Sequence, residues 1–154
     1  MIPQIPEAAS GAIAWFDYPV RVQPHHTDYA GVVWHGSYVT WLEEARVECL
    51  RAVGIDFHDL VEVGCDLPVI ELNLRYHRAA RLGDVLVTQV RLAATKGVRL
   101  LWDCQIRNPA TDSLHSTAQV TLVPMDRQSG RILRQVPPLM AIALDRLRQA
   151  HGTP

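Results

Sequence analysis

The chain has 154 residues and a mass of 17.2 kDa, with 48% hydrophobic and 20% charged residues, the balance of one globular domain that buries a core without disulfides or a structural metal. Fifteen basic residues against sixteen acidic ones leave a formal charge of −1, so no global field draws the chain to nucleic acid or to an anionic membrane. Lys96 is the single lysine, and the arginines are scattered from Arg21 to Arg148 without a dense run.

Residues 1–14 carry two prolines, a glycine and little periodicity, and read as a loose leader ahead of a domain over residues 15–150. The start from Met1 to Pro6 lacks the charged-then-apolar layout of a signal peptide, and no apolar stretch approaches the ~20 residues of a membrane span. A cytoplasmic protein is expected. Phe16, Tyr18, Val20 and Val22 then alternate with Asp17, Pro19, Arg21 and Gln23 as in a half-buried strand, with Pro19 marking an edge position or a bulge.

After a polar segment from His25 to Gly36 the period becomes helical. Tyr38, Trp41, Leu42, Ala45, Cys49 and Val53 recur every three or four residues, predicting a helix over about Ser37 to Val53 that Gly54 ends. Four strands follow, centred on Ile70 to His77, Leu86 to Leu92, Leu100 to Ile106 and Thr117 to Leu122, separated by the turn signals Gly83-Asp84, Lys96-Gly97 and Asn108-Pro109. Pro137-Pro138 opens a final helix whose apolar face is Met140, Ala143, Leu144 and Leu147. One amphipathic helix against an antiparallel sheet is an α+β architecture in which the sheet curls around the helix. Thr, Val and Leu on the opposite sheet face predict an outer surface less polar than a monomer exposes, and hence a second subunit.

Asp28 is an acid in a loop, followed by Gly31 and by a helix start near His35-Gly36-Ser37. A helix N-terminus presents unpaired N–H groups that polarise a carbonyl and stabilise an oxyanion, and a carboxylate just upstream attacks that carbonyl or activates water. On spacing alone such an acid is most often a loop or capping residue. The run Asp28-Tyr29-Ala30-Gly31-Val32-Val33-Trp34-His35-Gly36-Ser37-Tyr38, continued by Trp41-Leu42-Glu43-Glu44-Ala45-Arg46, resembles the active-site motif of hotdog-fold thioesterases of the 4-hydroxybenzoyl-CoA thioesterase type. The likeness extends over roughly residues 16–127, through Leu67-Pro68-Val69-Ile70 and the turn from Arg78 to Val85.

The resemblance implies a hotdog sheet around a central helix, a homodimer or homotetramer with sites between subunits, and hydrolysis of an acyl-CoA substrate without a cofactor. It implies that Asp28 is the catalytic carboxylate and that the His35 backbone N–H binds the thioester oxygen. A non-catalytic acyl-thioester-binding protein and a hotdog hydratase are the alternatives, although the chain has no Pro-Gly pair of the hydratase kind. Tyr38 and Trp34 would suit a flat or apolar acyl group if they line the pocket, and otherwise are core residues, as is Trp41. Lys96 and Arg99 on their turn are candidates for the coenzyme A phosphates, with Arg78 and Arg81 next; solvated turn charges are the plain reading of all four.

Three further readings are weighed. His25, His26, Asp28 and His35 match no standard metal-ligand spacing. Glu43 and Glu44 lie where some hotdog thioesterases carry their acid, though helix-surface charge beside Arg46 or Glu48 is the favoured reading of both. Cys49, Cys65 and Cys104 are widely spaced, without a Cys-x-x-Cys pair, and read as buried reduced thiols.

Overall fold

The computed structural model describes residues 14–151, so the leader assigned to residues 1–14 lies outside the described residues apart from Ala14. In chain order it contains β1 (Phe16–Arg21), a 3-10 turn (Pro24–His26), α1 (His35–Ala52), α2 (Phe57–Glu62), β2 (Cys65–Asp66), β3 (Val69–Tyr76), β4 (Val85–Lys96), β5 (Arg99–Asn108), β6 (Ser113–Leu122), β7 (Met125–Asp126) and α3 (Pro138–His151). Five strands form one antiparallel sheet in the order β1-β4-β5-β6-β3, while β2 and β7 pair separately. The sheet and its one long helix make the expected α+β hotdog arrangement.

Alternation decides the layering. Leu86, Thr88, Val90 and Leu92 on β4, with Leu100, Trp102, Cys104 and Ile106 on β5, are buried on one sheet face. Helix α1 returns Tyr38, Trp41, Leu42, Ala45 and Cys49 to the same core. Each fully buried aliphatic side chain contributes ~1.5–3 kcal/mol. Met140, Ala143, Leu144 and Leu147 of α3 are buried as the sequence predicts. Beyond the end of α1, Gly54 has φ +93°, and the Arg146 guanidinium of α3 donates to the Val53 carbonyl at 2.7 Å. Arg146 Nη1 stands 2.6 Å from where a Cβ at residue 54 would lie, so the missing side chain makes room for this cationic cap.

Several elements depart from the sequence reading. Helix α1 begins at His35, two residues early, and α2, β2 and β7 were not expected. The outer sheet face is also polar, which overturns the expectation for it. Gln89 donates to Asp17 at 2.7 Å and accepts from Gln105 at 2.6 Å, while Asp103 accepts from Arg91 and Gln119, each at 3.3 Å. Trp15 covers the Arg91 guanidinium, which sits 4.1 Å from its ring centroid. The apolar surplus lies instead on β3, where Val69, Ile70, Leu72 and Tyr76 are 46%, 44%, 41% and 48% exposed. The reason is coverage: α1 lies nearest β1 and β4, so the last strand at the other side of the sheet is left open.

Candidate active site

Asp28 sits in a tight loop that its own groups close. Its Oδ1 accepts from the Ala30 N–H at 2.8 Å, its carbonyl accepts from Gly31 N–H at 3.1 Å, and its N–H donates to the Val32 carbonyl at 2.9 Å. Gly31, at φ +76°, takes the left-handed position this turn requires. The loop is fixed to the body by the Val33 N–H donating to Ala80 O at 2.8 Å and by a bridge between Val32 and Arg81. One oxygen of a half-buried carboxylate is thereby held, and Oδ2 has no hydrogen bond among the described residues.

The start of α1 is built beside it. The His26 carbonyl accepts both the Trp34 N–H, at 2.8 Å, and the Ser37 hydroxyl, at 3.0 Å. Trp34 is the N-cap but its side chain caps nothing, and helix geometry leaves the N–H groups of His35 and Gly36 without intrahelical acceptors. The Trp34 indole lies across Gly36 so closely that a Cβ there would come within 2.3–2.8 Å of three ring atoms. Glycine is what lets the ring lie on the helix start.

Two tyrosines line the floor. The Tyr38 and Tyr76 rings meet edge to face at 5.1 Å; the Ala80 N–H donates to the Tyr38 hydroxyl at 3.2 Å, and the Tyr76 hydroxyl donates to the His35 carbonyl at 2.7 Å. Burial pushes both phenols above their ordinary value, so both stay protonated at neutral pH. Asp28, His35, Tyr38, Tyr76, His77 and Arg78 line a cleft of about 320 Å³. Its wall is held by the buried His115, whose Nδ1 is 3.2 Å from the Arg78 carbonyl and whose own carbonyl accepts from the N–H groups of His77 and Arg78 at 2.8 and 3.2 Å.

The fold thus gathers Asp28, His35 and Tyr38 in one cleft. Trp34 lies beside it, half-exposed, against the His35 ring at 5.0 Å. Lys96 and Arg99 close the turn at the far end of β4, ~36 Å from Val85 at 3.3 Å per residue, and Val85 marks the end nearer Asp28. Glu43 and Glu44 are exposed further along α1, and Glu44 accepts from the Tyr18 hydroxyl at 3.0 Å. His26 lies in the 3-10 turn, its Nδ1 accepting from Gln23 N–H at 2.9 Å; burial, then the neighbouring His25, keeps its pKa low. Among the described residues no three His, Cys, Asp or Glu side chains are grouped to hold a metal, and no helix is long and apolar enough to cross a membrane. All three cysteines are buried, and burial pushes the Cys49 and Cys104 thiols up to about 12, which leaves them protonated and poor nucleophiles.

Sequence reasoning missed Tyr76 and His77. Tyr76 shares the inward parity of Leu72 and Leu74 and ends its strand, a signal that an aromatic closes the sheet at the helix start.

Residues 22–144 match the model of the thioesterase-like superfamily. The chain belongs to that superfamily. A Synechocystis protein provisionally named an esterase is 56% identical over 135 residues, which span 88% of this chain and 81% of that protein. The acyl-CoA thioester hydrolase YbgC of Escherichia coli is 35% identical over 111 residues, 72% of this chain and 82% of that one. The solved DHNA-CoA thioesterase of Staphylococcus aureus superposes with a TM-score of 0.81 at 21% identity, covering 90% of this chain and 93% of that chain, a likeness of fold. The family therefore rests on sequence, and the hotdog architecture is the fold that the superposition shares.

Proposed function

We propose that the protein hydrolyses acyl-CoA thioesters, with Asp28 as the catalytic carboxylate. The observation that carries this reading is the shared cleft of the Asp28 carboxylate and the uncapped first turn of α1. The thioester carbonyl docks against the His35 and Gly36 N–H groups, which stabilise the oxyanion as it forms. Asp28 drives attack, by its own oxygen or by a water it deprotonates; the C–S bond breaks, coenzyme A leaves as the thiol, and water supplies the second oxygen of the acid. The fixed Asp28 Oδ1 orients the group, and Tyr38 and Tyr76 present an apolar floor to the acyl portion.

The same reading includes a homodimer through the open edge of β3, whose exposed apolar side chains and unpaired backbone are a strand-pairing surface. Paired dimers give the tetramer. Arg78 is the cation each chain brings to its own cleft, whereas Lys96 and Arg99 reach the coenzyme A phosphates from a neighbouring subunit. Acyl-CoA substrates assign the protein to the cytoplasm, where such thioesters are made.

Release of free thiol from a panel of acyl-CoA esters tests the reaction. Asp28→Asn keeps the shape and is expected to lower kcat/KM ~100-fold or more with an unchanged melting temperature. Near-normal turnover in that variant, with Glu43→Gln or Glu44→Gln inactive instead, moves the acid onto the helix. Binding of acyl-CoA without thiol release makes the protein a carrier.

A further inference from the structure

A second pocket lies between α1, α2 and the far ends of β5 and β6. It is partly enclosed, about 150 Å³, and walled by Leu50, Phe57, Leu67, Trp102 and Leu122. A space of that size matches one benzene ring. Arg46 lines it, only 7% exposed, and makes no hydrogen bond to a carboxylate or carbonyl among the described residues. Its polar neighbour is the Cys104 thiol, a weak acceptor when protonated. Glu43, one turn earlier at the rim, is exposed and forms no ion pair with it within 4.0 Å. Glu43 acts on the guanidinium only at a distance, from the rim, so a cation buried against apolar walls is left without a direct carboxylate partner and suits an anion brought into the pocket.

Topology says whose substrate reaches it. Arg46 lies ~16 Å along α1 from His35, with the buried Tyr38, Trp41 and Leu42 between, so a short acyl group in one chain's cleft does not reach that chain's pocket. The pocket opens beside Pro68 and Val69 at the start of β3, and the Asp28 cleft lies beside Tyr76 at its end. Two-fold antiparallel pairing of β3 sets the Tyr76 end of one protomer against the Val69 end of the other. The cleft of one protomer then faces the Arg46 pocket of its partner.

Resting on the thioesterase reading and its β3 dimer, we propose that the Arg46 pocket receives the far end of the acyl group across the subunit boundary, and selects ring-sized or short acyl groups that end in a carboxylate. Arg46 is then a specificity-determining residue and Asp28 the acid of the same composite site.

Binding tests the pocket without turnover. In calorimetric titration, benzoate is expected to bind wild type and Asp28→Asn alike, at least ~10-fold more tightly than neutral benzyl alcohol, and Arg46→Gln is expected to lose that difference. Equal affinity for the two probes in wild type, or benzoate binding unchanged in Arg46→Gln, overturns the proposal; the wild-type comparison decides even if the variant fails to fold. In turnover, glutaryl-CoA should exceed pentanoyl-CoA in kcat/KM by ~10-fold or more, a preference that shrinks in Arg46→Lys and vanishes in Arg46→Gln. No preference in wild type refutes the selection. Co-expressed Asp28→Asn and Arg46→Gln chains should recover about a quarter of wild-type glutaryl-CoA activity, since each mixed dimer keeps one intact site. No recovery puts both residues in the same chain's site. If no acyl-CoA is cleaved while benzoate still binds through Arg46, the hydrolysis reading fails and the pocket stands.

Discussion

The Tyr76 hydroxyl donates to the His35 carbonyl at 2.7 Å, tying the end of the edge strand to the first turn of the central helix across 41 residues of sequence. One hydrogen bond therefore couples the open edge strand, the pairing surface of the proposed dimer, to the helix start proposed to bind the carbonyl. Tyr76→Phe keeps the ring packing and removes the tie. The expected result is a kcat/KM lowered ~3–10-fold, with a small drop in melting temperature, as befits a bond of about 1 kcal/mol. An unchanged rate in Tyr76→Phe would show that the helix start is positioned by the His26 carbonyl alone.

Gly36 and Trp34 offer a test in which a second substitution repairs the first. A methyl group at residue 36 meets the indole at 2.3–2.8 Å, so Gly36→Ala must swing the ring away from the helix start. We expect Gly36→Ala to lower both turnover and stability, by ~1–3 kcal/mol for the latter. In the double variant with Trp34→Ala the added loss at residue 36 should disappear, as measured by denaturant unfolding. Additive losses would show that the glycine serves some other neighbour.

Assembly has its own test. Leu72→Arg puts a charge on the exposed inward face of β3 without disturbing the buried core. Sedimentation should show monomers, and thioester hydrolysis should fall with dimer content. A Leu72→Arg protein that remains dimeric assigns the interface to another surface.

Alkaline pH reports on the buried groups. The Cys49 and Cys104 thiols are raised by burial from 9.0 to about 12, and the Tyr18 hydroxyl from 10.0 to about 12, chiefly by burial and then by its bond to Glu44. A pKa raised by folding means that the stabilising contribution is complete below the unfolded value and is lost as pH rises through the folded one. Melting temperature should therefore hold, as far as these groups decide it, to about pH 9 and fall between there and pH 12. Cys49→Ala and Cys104→Ala should each flatten that fall. At pH ~8 a disulfide reagent should leave both thiols unmodified in the folded protein and modify them after unfolding.

Periodicity made the core legible. The stripe Tyr38, Trp41, Leu42, Ala45 and Cys49 and the strand alternations of β4 and β5 are long enough for the pattern to exceed local noise. Helix α2 escaped because it has six residues and is stabilised by a reciprocal cap between Asp56 and Asp59, and β2 and β7 have two residues each, too few to alternate. The site was legible only where it is local. Asp28, Gly31 and His35 fall within one short segment, whereas Tyr76, His77 and Arg78 arrive from the far side of the sheet and His115 from β6, joined by contacts that no spacing rule encodes. The polar outer face was misjudged because alternation gives the parity of a strand but not which end of the sheet the helix covers.

The uncovered strand β3 also bears on how the protein is made. Val69, Ile70, Leu72 and an unpaired backbone edge are open to any extended segment in a crowded translation mixture, so pairing into the proposed dimer would compete with inclusion-body formation. Rapid synthesis at high temperature should therefore shift the yield toward insoluble material, and Leu72→Lys should return it to the soluble fraction at the expense of activity. If the proposed dimer forms through this strand, the same eight residues set the recoverable amount against the specific activity.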